Sequence, residues 1–259
     1  MRELLKKIYL KTQLGKNFIT LMLKLRSAVV PEKLLLKSRF KRILGYPLNL
    51  KHPKTFNEKI NWLKLNERTP LHTICSDKFA VRDHVKKQVG PEYLIPLLLE
   101  TQDPNDLVPE NLPDFPVIIK TNNDSGGGVN VFGKGEWQYK NIVPRIIVEK
   151  LLVNQDGEIP SDYKLHCFNG KLQFTQVDMD RHSDHKRNLY DINWNFIDCK
   201  WVYENGRSIE KPNKYEEMKA IAEKLASDFT YARVDLYLVN EHIYFGEITF
   251  PQNNIFQNS

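Results

Sequence analysis

The sequence has little cysteine and no long apolar run. Its 259 residues include three cysteines, Cys75, Cys167 and Cys199, which lie far apart and form no C-x-x-C pair. This spacing argues against a structural zinc site and fits a reducing compartment. No apolar stretch approaches the roughly 20 residues needed to span a bilayer, and the N-terminus lacks the uncharged core of a signal peptide. We therefore expect a cytoplasmic protein that can bury a sizeable core.

Several common functional motifs are also missing. The chain contains no G-x-S-x-G nucleophile elbow and no G-x-x-x-x-G-K-[ST] loop, which argues against a serine hydrolase and a P-loop NTPase. It has no known nucleic-acid-binding signature, so we expect no nucleic-acid partner. The chemistry must therefore come from a less common arrangement of residues.

Positive charge is concentrated at the N-terminus. Residues 1–51 carry thirteen Lys or Arg and two acids, a balance of +11 against +6 for the whole chain, which leaves −5 for the remainder. A solvated helical surface would have this composition. A basic segment over residues 1–45 could equally lie against an anionic membrane surface or face a polyanionic substrate.

The residue patterns predict an α+β protein in which helices come first and strand pairs follow. Helices are predicted in the first 45 residues and over 55–67, 76–90 and 216–229, and Thr55 with Glu58 has the spacing of a capping box. Strands are predicted within 91–100, 114–121 and 144–152, with hairpins over 162–180 and 231–250. We divide the chain into a basic helical segment (1–50), a second helical part (51–115) and a strand-rich part (116–259).

A glycine-rich segment directly follows a strand that ends in a lysine. Lys120 ends the strand, and Gly126, Gly127 and Gly128 precede the apolar stretch VNVF. Glycines let the backbone approach a ligand and turn N–H groups toward an anion, and the lysine adds charge. No helix follows, which excludes a Rossmann turn. The pattern fits a flap over nucleotide phosphates, and it also fits a plain hairpin turn.

Two carboxylates interrupt the apolar strands of the last hairpin, where acids are usually excluded. A two-residue turn at 240–241 would place Asp235 and Glu247 on opposite faces, whereas a three-residue turn would pair them directly. Paired carboxylates repel each other unless a cation or a proton lies between them, and Mg²⁺ prefers such oxygens. The alternative is a simple salt bridge between Asp235 and Arg233.

The order of these features along the chain resembles that of the ATP-grasp superfamily. Several longer sequence segments resemble its TupA-like branch, which is associated with polysaccharide biosynthesis. The closer likeness is carried by KTFNEKINWLKLNERTPLHTICSDKFAVRDHV, GEWQYKNIVPRIIVEKLL, DYKLHCFNGKLQFTQVDMDRHSDHKRNLYD and FTYARVDLYLVNEHIYFGEITF, and it covers roughly residues 35–250. The resemblance implies an ATP-grasp fold, in which a helical N-terminal part is followed by two antiparallel-sheet subdomains that clasp a nucleotide.

The resemblance also implies a role for each candidate residue. ATP would be bound by Lys78, Lys120, the flap Asp124–Gly128 (with Ser125, Gly126, Gly127 and Gly128), the hinge residues Glu149, Lys150 and Leu152, and Asp162 and Lys164. Mg²⁺ would be held by Asp235, Glu247 and Thr249, although the superfamily usually has asparagine in place of Thr249. Catalysis would depend on Arg233, Lys164 and Arg181.

A basic cluster next to these positions suits an anionic substrate. It consists of Arg181, His182, His185, Lys186 and Arg187, although a solvated loop would have the same composition. The implied activity is ATP-dependent ligation, through an acyl phosphate, of an amino acid or similar amine to a uronic-acid carboxylate of a capsular or O-antigen glycan. One alternative is a glycosyltransferase that uses the D-x-D motif at 178–180. The other is an ATP-grasp-like binding protein without catalysis.

Overall fold

The computed structural model describes residue 17 and residues 29–123, 137–179 and 184–251. Several predicted features lie outside these residues. They are the glycine flap Asp124–Gly128, the stretch VNVF, most of the basic N-terminal segment, Asp180, Arg181 and His182. Among the described residues, no helix is both long and apolar enough to cross a membrane.

Four α-helices precede the sheets in the described part of the chain. They are α1 (Glu32–Leu44), α2 (Phe56–Asn66), α3 (Pro70–Ser76) and α4 (Val81–Gln88). The predicted capping box starts α2: the Thr55 hydroxyl accepts the N–H of Glu58, and the Glu58 carboxylate accepts the N–H of Thr55. The helix predicted over 76–90 is present but shorter, at Val81–Gln88, because Ser76 still belongs to α3. The Asp77 carboxylate accepts the N–H groups of Phe79 and Ala80 and turns the chain between α3 and α4.

The first sheet has three antiparallel strands. They are β1 (Leu97–Thr101), β2 (Val117–Thr121) and β3 (Ile146–Lys150), in the order β1-β3-β2. The partner of β2 among the described residues is therefore β3, while the predicted partner VNVF lies outside them. The suggested domain boundary between residues 115 and 116 divides this sheet in sequence. Strand β1 lies before the boundary, and its partner β3 lies after the boundary.

The second sheet has six antiparallel strands in the order β7-β6-β5-β4-β8-β9. The strands are β4 (Asp162–Phe168), β5 (Lys171–Met179), β6 (Lys186–Asp191), β7 (Phe196–Ile197), β8 (Tyr231–Val239) and β9 (His242–Thr249). The predicted hairpin turn joins β4 to β5 at Asn169 and Gly170, whose φ angles of 49° and 70° suit an Asn-Gly turn. Helix α5 (Tyr215–Leu225) connects β7 to β8.

The two faces of the second sheet differ in chemistry. Along β4, Leu165 and Cys167 point into an apolar core that includes Met218 and Leu225 of α5. Their neighbours alternate to the other face, as the period of two in a strand requires. Polar side chains, including Lys164, are buried on that second face. The chain thus uses one face of the sheet for its core and keeps the other for charged groups.

Candidate active site

The last hairpin pairs the two predicted metal-binding carboxylates, but with a different turn from the one that the pairing was expected to need. The chain turns on two residues, Asn240 and Glu241, with φ angles of 50° and 63°. The three-residue turn is therefore wrong. Asp235 nevertheless lies directly opposite Glu247, because the pairing shifts by one residue at Gly246. This β-bulge restores the pairing that a two-residue turn alone would prevent.

The three predicted metal ligands converge on one atom of Arg233. Its Nη2 donates to Asp235 Oδ2 at 2.8 Å, to Glu247 Oε1 at 3.1 Å and to Thr249 Oγ1 at 2.9 Å. Its Nε donates to Asp235 Oδ1 at 2.6 Å. Burial would lower the pKa of the guanidinium, but the carboxylates of Asp235 and Glu247 outweigh burial and raise it. Arg233 therefore keeps its positive charge at any physiological pH.

Lys164 joins this group from the neighbouring strand. It pairs with Asp235 in register, and its Nζ lies 2.6 Å from Asp235 Oδ2 and 2.5 Å from Asp162 Oδ2. Burial alone would raise the pKa of Asp235, but the charges of Arg233 and Lys164 outweigh it and hold the pKa below its usual value. We call Asp162, Lys164, Arg233, Asp235 and Glu247 the charged cluster.

The donor set fits a hard divalent cation. Two carboxylates and one hydroxyl of Asp235, Glu247 and Thr249 lie within 3.1 Å of a single point. Magnesium is usually held by one or two carboxylates together with phosphate oxygens and water. In the described residues no group of three or more His, Cys, Asp or Glu side chains is arranged to hold a metal ion. The remaining ligands would have to come from phosphate.

A hydrogen-bonded chain that the sequence reasoning missed continues across the same face. The Gln176 amide donates to the Asp178 carboxylate at 3.0 Å and 3.1 Å, so its oxygen faces His166 Nε2 at 3.4 Å. His166 Nδ1 then accepts the Tyr231 hydroxyl at 3.0 Å. Burial and the Arg233 charge lower the pKa of His166 to about 3, so its ring is neutral.

Arg187, on β6, is the last member of this series of hydrogen-bonded side chains. Its Nε and Nη2 donate to the two oxygens of Asp178 at 2.6 Å and 3.1 Å. Asp178, the first acid of the D-x-D motif, is thereby held by a guanidinium. His185 stacks on Tyr203 with ring centroids 3.7 Å apart. Lys186 alternates to the opposite face of the strand from Arg187, so the predicted basic cluster is divided between two faces.

Two predicted ATP-binding residues meet in the first sheet. Lys120 Nζ lies 2.6 Å from Glu149 Oε2, and Arg82 Nη1 lies 3.0 Å from Glu149 Oε1. Glu149 is buried between these two cations. The predicted hinge begins at the end of β3, where the Lys150 N–H donates to the Pro96 carbonyl at 3.1 Å. The chain thus brings Lys120 and the hinge together on adjacent strands.

Lys78 reaches this region through Asn122, whose structural role the sequence reasoning did not predict. The Lys78 backbone N–H donates to the Asn122 carbonyl at 2.9 Å, in the turn between α3 and α4. The buried Asn122 amide donates to Asp77 Oδ1 at 2.9 Å and accepts the Arg145 N–H at 2.8 Å. The sequence signal for this role was the position of Asn122 between strand β2 and the glycine-rich segment.

A helical part followed by two antiparallel sheets in this order is the arrangement of an ATP-grasp fold. The sequence model of the TupA-like ATPgrasp family matches residues 130–259, which is half of the chain. The chain therefore belongs to the TupA-like ATP-grasp family, which confirms the family that the motifs predicted.

The chain is similar to several solved structures. One is D-alanine–D-alanine ligase from Bacillus anthracis (20% identity, 68% of this chain, 57% of that chain, TM-score 0.42). The chain is also similar to the ADP complex of purK, N5-carboxyaminoimidazole ribonucleotide synthetase (12% identity, 79% of this chain, 53% of that chain, TM-score 0.47). The chain spans a little over half the length of these two structures. No curated protein sequence matches it.

Proposed function

We propose that this protein is an ATP-dependent carboxylate–amine ligase that acts on a glycan. The observation that carries the proposal is the convergence of Asp235, Glu247 and Thr249 on one point of a buried polar sheet face. Lys164 and Arg233 lie against the same acids. This combination of paired carboxylates and fixed cations suits a metal-bound polyphosphate, and membership of the TupA-like ATP-grasp family agrees with it.

The nucleotide would be held by residues from both sheets. Lys78, Lys120 and the flap Asp124–Gly128 would contact the phosphates. Lys150 and Leu152 would present backbone groups to the adenine edge, while Asp162 would face the ribose. Magnesium held by Asp235, Glu247 and Thr249 would neutralise charge on the phosphates during transfer. These assignments follow the family resemblance and the positions of the side chains.

The reaction would proceed in two steps. A carboxylate oxygen of the glycan attacks the terminal phosphorus of ATP, which forms an acyl phosphate and releases ADP. The amine nitrogen then attacks the carbonyl carbon, loses a proton and expels inorganic phosphate, leaving an amide. Lys164 and Arg233 would stabilise the negative charge that develops on oxygen, because fixed cations in a buried site act strongly there. Arg181 would support the same step.

The substrate carboxylate would approach from β6. Arg187 and His185 lie at that end of the polar face, and Arg181 and His182 would extend the positive region. We propose a uronic acid of a capsular or O-antigen precursor as the acceptor and an amino acid as the donor. The basic residues 1–45 would hold the enzyme at the cytoplasmic membrane face, close to a lipid-linked precursor.

A thermal-shift screen tests this proposal. The ligands would be Mg-ATP, Mg-ADP and the sugar nucleotides of UDP, GDP and CMP. A ligand that binds the folded state at about 100 times its Kd adds roughly 2.7 kcal/mol, which raises Tm by a few degrees. We expect a shift with adenine nucleotides alone. A shift only with a sugar nucleotide would favour a glycosyltransferase and refute the ligase.

Variants locate the binding site. Asp235→Asn and Lys120→Ala should each abolish the Mg-ATP shift without unfolding the protein, since each removes a charge from the nucleotide site. Asp83→Asn makes the same change on the exposed side of α4 and should leave the shift intact. Unchanged ATP affinity in both site variants would contradict the site assignment. Binding of Mg-ATP without turnover of any acceptor would favour the binding protein over the ligase.

A further inference from the structure

Arg233 makes an unusual set of contacts for a partly buried arginine on this sheet. Arg187 also pairs bidentately with an aspartate on the same face, and its Nη2 donates to Asp178. The Nη2 of Arg233 is instead shared by Asp235, Glu247 and Thr249, at 2.8 Å, 3.1 Å and 2.9 Å. These are the three groups assigned above to magnesium. The inference below rests on that proposed function.

The guanidinium and a metal ion cannot use these oxygens at the same time. Magnesium binds oxygen at about 2.0–2.1 Å, so the three oxygens would have to close by roughly 0.8 Å or more around the point where Nη2 lies. An Arg233 nitrogen left at that point would then be in contact with the cation. Arg233 must therefore leave the carboxylates before they can hold a divalent ion.

The charges make this exchange depend on a second ligand. The charged cluster contains three acids and two bases, Lys164 and Arg233, so its formal charge is −1. Arg233 cannot lose its proton in a protein. If a metal ion displaces it, the partly buried guanidinium keeps its positive charge beside that ion and Lys164 but loses its carboxylate partners, which is costly. An anionic partner is needed to accept it.

We infer that Arg233 competes with the divalent cation for Asp235, Glu247 and Thr249, so that the cation is bound tightly only together with a polyphosphate that takes over the guanidinium. The two ligands are then positively coupled. Couplings of this kind usually change affinity by about 5- to 150-fold. The arginine would thus act as an internal cation that keeps the carboxylates from binding metal before the nucleotide has arrived.

Titration with Mn²⁺, followed by electron paramagnetic resonance, tests the inference with the full chain. In the wild type we expect Mn²⁺ alone to bind about tenfold or more weakly than Mn²⁺ with saturating ADP. Arg233→Met should bind Mn²⁺ alone about tenfold more tightly than the wild type does, with weaker coupling to ADP. Arg68→Met is the matched control, because it removes an Arg–Glu ion pair (Arg68 with Glu32) outside the charged cluster and should leave the affinity for Mn²⁺ alone unchanged.

A second substitution covers the case in which Arg233→Met does not fold. Arg233→Lys keeps the charge but cannot bridge three oxygens with a planar fork, so it should bind Mn²⁺ alone with intermediate affinity. The inference is overturned if neither Arg233 variant binds Mn²⁺ more tightly than the wild type, or if ADP does not change Mn²⁺ affinity in the wild type. Mn-ADP binding by the wild type without the gain in the variants would overturn the inference and leave the proposed function standing. Loss of Mn-ADP binding from every form would overturn the proposed function itself.

Discussion

Replacement of His166 by glutamine should change the pH dependence of stability in a defined way. His166 is 2% exposed and lies on the polar face of β4. Phe174 stacks on its ring with centroids 4.2 Å apart. Burial, with the charges of Arg233 and Lys164, outweighs the opposing charge of Asp235 and lowers the pKa of His166 to about 3.

The size of the effect follows from the two pKa values. The unfolded chain takes up a proton on this ring below pH 6.5, whereas the folded protein does so only near pH 3. Since the folded pKa is the lower one, the stabilisation is present above pH 6.5 and is lost as the pH falls toward 3. One pH unit corresponds to about 1.4 kcal/mol, so about 2 kcal/mol should be lost by pH 5.

Urea unfolding at pH 7.5 and at pH 5.0 measures this loss. The carboxylates contribute little in that window, because their unfolded pKa values lie near 4. His166→Gln keeps a donor and an acceptor but cannot take up a proton. We expect its free energy of unfolding to change by about 2 kcal/mol less between the two pH values than that of the wild type. His52→Gln, at an exposed position, should behave like the wild type. An equal pH dependence in His166→Gln and the wild type would refute the neutral buried histidine.

Three other substitutions test separate parts of the structure. Gly246→Ala places a Cβ 2.9 Å from the Tyr237 ring, so we expect calorimetry to show weaker Mg-ATP binding. Gly157→Ala strains a turn at a φ of 77° but places its Cβ in open space, and it should keep wild-type affinity. Unchanged Mg-ATP binding by Gly246→Ala would show that nucleotide binding does not require the β-bulge at Gly246. Thr55→Ala removes the cap of α2 and should lower the free energy of unfolding in urea by about 1 kcal/mol; a change near zero would contradict the capping role. Asn122→Ala removes the side-chain hydrogen bonds to Asp77 and to the Arg145 N–H, which hold the turn that carries Lys78 against the end of β2, so its Kd for Mg-ATP should rise. An unchanged Kd would show that these hydrogen bonds are not needed for nucleotide binding.

Local signals in the sequence were sufficient for several elements. The capping box at Thr55 and the Asn169–Gly170 turn depend on residues within a few positions of each other, and both are present as expected. The helix predicted over 76–90 begins later, at Val81, because the Asp77 side chain holds a turn before α4. Asp77 is in turn held by Asn122, 45 residues away, which no local pattern reveals.

The candidate site was only partly predictable. The pairing of Asp235 with Glu247 was considered from the sequence, but the route to it depends on how Gly246 packs against Tyr237. The convergence on Arg233 could not be anticipated, because it needs the side-chain geometry of two strands. Gln176 did carry a signal, since it alternates with apolar residues along β5 and so had to share a face with other polar groups.

The bulge at Gly246 also explains why β9 has no single alternating pattern. Toward the tip of the hairpin, Ile243 and Phe245 point into the apolar core. Beyond the bulge, the odd-numbered residue Glu247 points to the polar face, and the even-numbered Ile248 takes over in the core. One extra residue thus reverses the phase of the strand. A single strand can thereby bury apolar side chains along its whole length and still present a carboxylate to the site.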